Sequence, residues 1–228
     1  MNCSRGDRFY YSDILKETMV LNRYRKQADS VLRPIAERSK HVDPNLISWL
    51  SLLSAFIAGI SFYFSNEAFF VLSGGIFVIL NSLFDALDGK IAKITGKASK
   101  RGDFLDHTID RYSDIFILVG ITLGPLSRTW LGLFAILGVL MTSYMGTQAD
   151  AVGVSRDYGG IAGRAERLVL LIIFSFLYFA LFETGWTSLQ ITGIELTLFE
   201  ILMIWFAIAG NLTAISRGIN TWSKLKDR

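Results

Sequence analysis

The stretch from Asp85 to Asp110 constrains this chain more than any other part, because it places four aspartates at the ends of two strongly apolar segments. The first segment runs from 68 to 87 and the second continues from 115, and the aspartates are Asp85, Asp88, Asp106 and Asp110. Carboxylates next to or within membrane-spanning helices are costly and are functional candidates by default. The stretch therefore predicts two membrane helices with a polar site between them.

The spacing of the four aspartates indicates how they meet. Asp85 and Asp88 are three residues apart and Asp106 and Asp110 are four apart, so each pair shares one face of its helix. The short polar turn between the helices can bring the two faces together. Converging carboxylates repel one another unless cations lie between them, and Mg²⁺, Mn²⁺ or Ca²⁺ suits such oxygens better than zinc or copper. A two-metal carboxylate site is the simplest charge-balanced interpretation.

Two other interpretations of these acids stay open from charge placement alone. They can form a proton or ion pathway, as in an ion-coupled or proton-coupled transporter, or they can pair with Lys90, Lys93 and Arg111 as structural ion pairs. Gly89 follows an aspartate directly and Gly102 opens the next helix. A ligand that approaches the backbone closely would use both glycines, so they favour a binding site.

The composition indicates an all-α integral membrane protein. The chain is 51% hydrophobic with a mean hydropathy of +0.40, and its charged residues gather in the connecting segments. Residues 43–228 are predicted to form a membrane domain of six transmembrane helices. The first begins after Asp43-Pro44-Asn45, which is a good helix start, and the others cover 67–94, 102–126, 129–151, 161–182 and 196–222.

The segment 1–42 is basic and precedes the first span. Its apolar residues recur at helical spacing, interleaved with arginines and a lysine; they are Leu21, Tyr24, Ala28, Val31 and Ile35. This pattern is typical of an amphipathic helix that lies on an anionic membrane surface. The alternative interpretation is a solvated basic tail.

The distribution of basic residues predicts the orientation in the cell membrane. One side holds the N-terminal segment, Lys97, Lys100, Arg101, the 156–164 connection and the basic C-terminal tail, whereas the connection over 184–195 on the other side has no basic residue. Basic connections stay on the cytoplasmic side. Both termini and the aspartate cluster are therefore expected to face the cytoplasm.

These residues also carry a family resemblance. The pattern D-x-x-D-G-x-x-A-R-(x8)-G-x-x-x-D-x-x-x-D is the signature of the CDP-alcohol phosphotransferases, and the chain matches it at Asp85, Asp88, Gly89, Ala92, Gly102, Asp106 and Asp110. The one departure is Lys93, which stands where the family usually has Arg. Lysine still supplies a cation for a phosphate, but as a point charge without the bidentate fork.

The resemblance implies transfer of a phosphatidyl-type group from a CDP-linked lipid to a small polar alcohol, with release of CMP. It implies two divalent cations, Mg²⁺ or Mn²⁺, held by Asp85, Asp88, Asp106 and Asp110, with Asp110 also acting as general base. The residues implied near the donor nucleotide are Gly89, Ala92, Lys93, Gly102, Asp103, Asn45 and Ser48. His107 is interpreted as a bystander. Arg111 and Asp114 resemble a common extension of the family motif, and a role in the site and a purely structural role both stay open for them.

A second resemblance bears on the acceptor alcohol. Residues 143–168 resemble the segment S-Y-x-K-A-R-A-E-A-x-G…G-G-x-x-E-R-x-E-R-L of phosphatidylinositol-phosphate and archaetidylinositol-phosphate synthases. It implies an inositol phosphate acceptor bound by Ser143, Arg156, Arg164 and Arg167. Gly146 and Gln148 depart from it, because they stand where the family has Lys and Arg. Another acceptor, such as glycerol phosphate or serine, therefore stays open.

The remaining expectations concern partners. The family resemblance implies a homodimer, and small residues in the spans permit close packing in a membrane. We therefore expect a homodimer surrounded by membrane lipids, with no nucleic-acid partner.

Overall fold

The computed structural model describes residues 32–155, 163–191 and 193–226. Six long helices dominate these ranges: α1 (Pro44–Tyr63), α2 (Ala68–Ile94), α3 (Lys100–Leu123), α4 (Thr129–Ala151), α5 (Arg164–Phe182) and α6 (Leu198–Lys226). Residues 32–38 are also helical. The expected helical architecture is confirmed, whereas the proposed amphipathic helix falls mostly on residues 1–31, outside the described ranges.

Local capping explains where the helices begin. The Asp43 side chain accepts a hydrogen bond of 2.9 Å from the N–H of Asn45, with Pro44 in the first helical position. Ser99 in the same way accepts a bond of 3.2 Å from the N–H of Gly102. These caps satisfy N–H groups that have no partner within the helix. The cap at Ser99 starts α3 two residues earlier than its predicted start at Gly102.

The turn between α2 and α3 is built on one glycine. Gly96 has φ +67°, a left-handed conformation that favours glycine. The N–H of Lys97 bonds to the carbonyl of Ala92 at 3.0 Å, and the N–H of Gly96 bonds to the carbonyl of Lys93 at 3.4 Å. This pair of bonds is a Schellman motif, which ends a helix and reverses the chain. It returns α3 toward the end of α2 that carries Asp85 and Asp88.

A small β-hairpin between α5 and α6 differs from the expected all-helical chain. Strand β1 (Ser188–Ile191) pairs antiparallel with β2 (Ile194–Thr197), and Gly193 has φ +81°. The sixth helix therefore begins at Leu198 rather than at the predicted Leu196, which belongs to β2. The predicted start of the fifth helix at Ile161 was also too early, since α5 begins at Arg164.

Glycines let the helices cross closely. A Cβ atom on Gly120 of α3 would lie 2.0 Å from the carbonyl oxygen of Gly59 of α1, and one on Gly210 of α6 would lie 2.7 Å from the carbonyl carbon of Gly138 of α4. Small residues at helix crossings are typical of membrane bundles. Large apolar side chains fill the rest of the interior, among them the fully buried Phe62, Phe199 and Phe206.

The helix surfaces indicate a membrane environment. Five helices, α1, α2, α4, α5 and α6, are long and apolar enough to cross a bilayer. Large apolar side chains such as Trp49 and Phe134 point outward, 55% and 56% exposed, as expected of surfaces that contact lipid rather than water. The chain is therefore an integral membrane protein. Because the charges of α3 keep it outside this set, the count of six spans stays a prediction.

Candidate active site

The four aspartates lie together where α2 ends and α3 begins. Carboxylate oxygens of Asp106 and Asp110 and a ring nitrogen of His107 lie within 4.8 Å of one another. Asp85 and Asp110 both contact one guanidinium nitrogen of Arg164, each at 2.7 Å. Asp88 interacts electrostatically with both Asp85 and Asp106. Two acids from each helix thus share one small region, as the helical spacing predicts.

A serine from α1 anchors the deepest of the four acids. The Ser48 hydroxyl donates a hydrogen bond to Oδ2 of Asp88, and both side chains are buried. Asn45, one turn earlier, is exposed at the start of α1. Of the two α1 residues implied near the donor, only Ser48 has a side-chain contact with the aspartates in the described part of the chain.

Arg164, the first residue of α5, joins the acids of α2 and α3. Its Nη1 lies 2.7 Å from Oδ2 of Asp85 and 2.7 Å from Oδ1 of Asp110, and its Nε lies 3.7 Å from Oδ1 of Asp114. The contact with Asp85 has hydrogen-bond geometry, whereas the approach to Asp110 is a charge contact without it. The acceptor role implied by resemblance did not anticipate that Arg164 binds the aspartates.

Further ion pairs lie on the deeper side of this cluster. Arg167 of α5 donates a hydrogen bond of 2.9 Å to Asp114 of α3, and both residues are buried. Arg111 lies 3.4 Å from Asp110 and 4.0 Å from Asp114. Buried charges need such partners, because an unpaired charge in a nonpolar interior is costly. Arg111 and Asp114 therefore have structural contacts, which is one of the two roles that the extended motif left open.

A cluster of three polar side chains lies one helical turn before Asp85 and was not predicted from the sequence. The side-chain amide of Asn81 in α2 donates hydrogen bonds to the carbonyl and hydroxyl of Ser51 in α1, at 3.0 and 2.8 Å, and to the hydroxyl of Ser113 in α3, at 3.3 Å. All three residues are fully buried. The signal available was a lone asparagine in an apolar run. The cluster fixes the axial positions of three helices relative to one another, and therefore the positions of the aspartates on α2 and α3.

The residues of α2 and α3 implied near the nucleotide lie on the last two turns of α2 and the first turn of α3, and several of them are exposed. Gly89 is exposed, and a Cβ atom built on it meets no heavy atom within 4 Å. Lys93 is exposed and Ala92 half-buried on the last turns of α2, and Gly102 and the exposed Asp103 lie in the first turn of α3. The open space at Gly89 leaves room for a ligand against the helix backbone.

His107 lies closer to the acids than the helical spacing suggested. Its Nδ1 is 3.7 Å from Oδ2 of Asp106 and its Nε2 is 3.9 Å from Oδ1 of Asp103. A side chain off the acid face can still reach it because the imidazole ring extends along the helix surface. The ring is about half exposed, so His107 borders the site rather than lying inside it.

The segment implied to bind the acceptor is described only in part. Ser143 is half-buried on α4, Gly146 is buried and Gln148 is exposed. Arg164 and Arg167 belong to the ion pairs above, and Arg156 lies outside the described residues. Close to the aspartates, the described part of this segment thus contributes arginines from α5.

The donor set fits hard divalent cations. Among the described residues, Oδ1 of Asp85 and Oδ1 of Asp110 are buried without a hydrogen-bond partner. Buried carboxylate oxygens require a donor or a cation, and oxygen ligands suit Mg²⁺ or Mn²⁺. Asp85, Asp88, Asp106 and Asp110 are the residues that can hold such ions.

Comparisons with known proteins identify the family of this chain and structures of similar fold. The family model described as CDP-alcohol phosphatidyltransferase matches residues 41–213. Archaetidylinositol phosphate synthase of Pyrococcus horikoshii is 36% identical over 134 residues, which cover 59% of this chain and 69% of that relative. The Mycobacterium tuberculosis phosphatidylinositol phosphate synthase with CDP-DAG bound has a similar fold, with a TM-score of 0.67 at 21% identity over 85% of this chain and 94% of that chain. The same protein in complex with manganese and citrate also has a TM-score of 0.67, at 22% identity over 84% and 88% of the two chains.

Proposed function

This chain belongs to the CDP-alcohol phosphatidyltransferase family, and we propose that it transfers a phosphatidyl-type group from a CDP-linked lipid to inositol phosphate. CMP is the second product. The chain is therefore a phosphotransferase of phospholipid biosynthesis. The observation that carries the proposal is the cluster of Asp85, Asp106 and Asp110 with Arg164, because it combines cation ligands with a phosphate-binding side chain at one helix end.

The names of relatives support the acceptor and leave two kinds of lipid donor. The Pyrococcus horikoshii relative is an archaetidylinositol phosphate synthase and the structural relative is a phosphatidylinositol phosphate synthase. Both names contain inositol phosphate, while one lipid is archaeal and ether-linked and the other is diacyl. The donor proposed here is therefore a CDP-lipid of either kind.

Asp85, Asp88, Asp106 and Asp110 would hold two divalent cations, Mg²⁺ or Mn²⁺. Such ions, when bound, neutralise the charge that builds on the phosphate oxygens as CMP departs. The manganese in the crystal structure of the Mycobacterium tuberculosis relative supports this proposal. The buried Oδ1 of Asp85, which has no hydrogen-bond partner among the described residues, supports it independently.

Asp110 is the proposed general base. The acceptor hydroxyl oxygen bonds to the lipid-side phosphorus, the bond from that phosphorus to the bridging oxygen breaks, and CMP leaves with the electron pair. The proton of the attacking hydroxyl passes to a carboxylate. The family resemblance assigns this step to Asp110, whose Oδ1 lies 2.7 Å from Arg164, a residue proposed to bind the acceptor, and 14% of whose side chain is exposed. Gly89, Ala92, Lys93, Gly102, Asp103, Asn45 and Ser48 are proposed to bind the donor.

A different acceptor alcohol is the second candidate. Gly146 and Gln148 carry no charge where related synthases have cations, and Gln148 is exposed. Arg164, Arg167 and Arg156 are proposed to supply the cations that inositol phosphate needs. Without that compensation, the neutral pair would favour an acceptor that lacks a phosphate, such as serine. Glycerol phosphate is the other alternative acceptor.

The proposed topology has six spans, with α3 crossing beside the five apolar helices. The site and both termini face the cytoplasm of the cell membrane, in agreement with the basic connections, and segment 1–42 lies along the membrane surface. We expect a homodimer. Labelling of single cysteines introduced at the two termini and in the hairpin, in intact vesicles, tests the orientation, and cross-linking in membranes tests the dimer.

Release of CMP by the purified protein tests the reaction. The assay contains diacyl or ether-linked CDP-lipid, Mg²⁺ or Mn²⁺ and separate acceptors, with and without chelator. We expect chelator-sensitive release with inositol phosphate. Release with glycerol phosphate or serine alone would keep the reaction and exclude inositol phosphate, and a folded protein that releases no CMP with any acceptor would overturn the proposal.

A further inference from the structure

The guanidinium of Arg164 contacts two of the acids proposed to bind cations. Its Nη1 is 2.7 Å from Oδ2 of Asp85 on α2 and 2.7 Å from Oδ1 of Asp110 on α3. Its side chain is only 15% exposed. A single nitrogen atom therefore bridges the two helices at the centre of the site.

Most of the hydrogen-bonding capacity of this guanidinium is unused. Arginine has five N–H donors, yet among the described residues the buried Nε and Nη2 of Arg164 have no hydrogen-bond partner. The Nε lies 3.7 Å from Asp114, which is a charge contact without a hydrogen bond. Unused buried donors are costly. The present contacts therefore hold the side chain without satisfying it.

We infer that Arg164 is an exchange residue, which divalent cations displace from Asp85 and Asp110 and which then binds the phosphate of the acceptor. This inference rests on the proposed function. A divalent cation and the guanidinium compete for the same two carboxylates, Asp85 and Asp110, and repel each other at short range. The freed planar fork matches a phosphate group, with two parallel N–H donors. The Nε and Nη2 donors, which have no hydrogen-bond partner while Arg164 contacts the acids, would then donate to the phosphate oxygens.

Exchange of this kind couples two binding events. Cation binding releases Arg164 for the acceptor, and acceptor binding removes the competitor of the cation. By thermodynamic linkage each ligand must raise the affinity of the other by the same factor. If Arg164 merely oriented the carboxylates, its removal would weaken cation binding. The exchange predicts instead that its removal strengthens cation binding.

The affinity for Mn²⁺ tests the exchange without turnover. Electron paramagnetic resonance of free Mn²⁺ gives the affinity of purified protein in detergent, alone and with inositol phosphate or inorganic phosphate. For the natural chain we expect inositol phosphate to tighten Mn²⁺ binding about fivefold or more. Arg164→Gln should bind Mn²⁺ more tightly than the natural chain in the absence of phosphate, and inositol phosphate should add nothing.

Arg111→Gln is the matched control. Arg111 lies 3.4 Å from Oδ2 of Asp110, so this variant also removes one positive charge beside that acid, but not the bridging contact. It should keep the gain from inositol phosphate, and Arg164→Lys should keep a smaller gain because lysine lacks the fork. Elution of each variant as a single species on size exclusion checks its folding.

Three results would overturn the exchange: equal or weaker Mn²⁺ binding by Arg164→Gln, a gain from inositol phosphate retained in that variant, or no gain in the natural chain. A gain from inorganic phosphate equal to that from inositol phosphate would support the exchange and assign recognition to the phosphate alone. Failure of CMP release alongside intact coupling would overturn the proposed reaction while supporting the exchange. The two failures are therefore distinguishable.

Discussion

Arg167 of α5 donates a hydrogen bond of 2.9 Å to Asp114 of α3, and 6% and 5% of the two residues are exposed. The pair lies one helical turn from Arg164 and Asp110, which belong to the candidate site. It connects the site to the interior of the bundle, because it fixes α5 against α3 just below the aspartates.

Replacement of Arg167 by Met should strongly destabilise the protein, because Asp114 is left buried without this partner. Removal of one member of a buried ion pair costs about 3–5 kcal/mol. Arg164 and Arg111 also approach Asp114, at 3.7 and 4.0 Å, so we expect the lower end of this range. The midpoint of thermal unfolding in detergent measures the effect. The Arg167→Met/Asp114→Leu variant should recover much of the loss, and an unchanged midpoint for Arg167→Met would contradict the structural role.

Replacement of Asp110 by Asn should abolish turnover, while donor binding remains and cation binding weakens but persists through Asp85, Asp88 and Asp106. The amide keeps the size of the side chain but cannot take the proton of the acceptor hydroxyl, and loss of a general base lowers rates by about a hundredfold or more. CMP release measures turnover, and Mn²⁺ and CDP-lipid binding are measured in parallel. Substantial remaining turnover would exclude Asp110 as the base.

Replacement of Gly89 by Ala should weaken donor binding without harming the fold. A Cβ atom there meets no protein atom within 4 Å, and alanine is a better helix former than glycine by about 1 kcal/mol. We therefore expect unchanged or higher thermal stability and a raised KM for CDP-lipid. Gly218→Ala is the control, because the nearest atom to its Cβ is the Met145 sulfur at 3.7 Å. Equal KM values for the two variants would argue against donor contact at Gly89.

Replacement of Gly120 by Ala should separate α1 from α3. The new methyl group would lie 2.0 Å from the carbonyl oxygen of Gly59, and backbone cannot move aside as a side chain can. Overpacking of this kind costs about 1–3 kcal/mol, occasionally more. We expect a lower unfolding midpoint and a lower yield of monodisperse protein than for Gly218→Ala. Comparable midpoints for the two variants would show that the helices do not cross this closely.

Replacement of Ser48 by Ala should weaken cation binding by removing the hydrogen bond to Asp88. Groups that orient metal ligands change metal affinity or activity about 10- to 100-fold. Ser54 is the matched control on the same helix, since it is similarly buried but donates to the carbonyl of Leu50 within α1. Mn²⁺ affinity should fall for Ser48→Ala and stay constant for Ser54→Ala, and an equal response of both would remove Ser48 from the site.

Local signals predicted most of the fold. Apolar runs and the start signals at Asp43 and Pro44 predicted the helix ends to within four residues, because these signals act within single helices. The hairpin was missed because its alternating residues, Leu189 opposite Leu196 and Gln190 opposite Glu195, follow a period of two. A search for membrane spans overlooks such a short segment.

Local signals likewise predicted one part of the candidate site and missed another. The meeting of Asp85 with Asp110 followed from the helical period and a short turn. The contact of Arg164 with Asp85 joins residues 79 positions apart and depends on how α5 packs against α2 and α3. No local pattern contains that information. The hydrogen-bonded cluster around Asn81 likewise depends on how three helices pack together.

The charges of α3 have a consequence for how the protein enters the membrane. The uninterrupted apolar part of α3 covers only 115–123, about 14 Å at the rise of an α-helix, against a hydrocarbon core of about 30 Å. A segment like this is a poor substrate for insertion by itself. However, α1 and α2 precede α3 in the chain and are therefore synthesised first. They carry the polar residues Ser48 and Asn81, so α3 can associate with them as it inserts. Biogenesis should therefore require that α3 leave the insertion machinery together with the two preceding helices, and a chain that lacks α1 should fail to integrate α3.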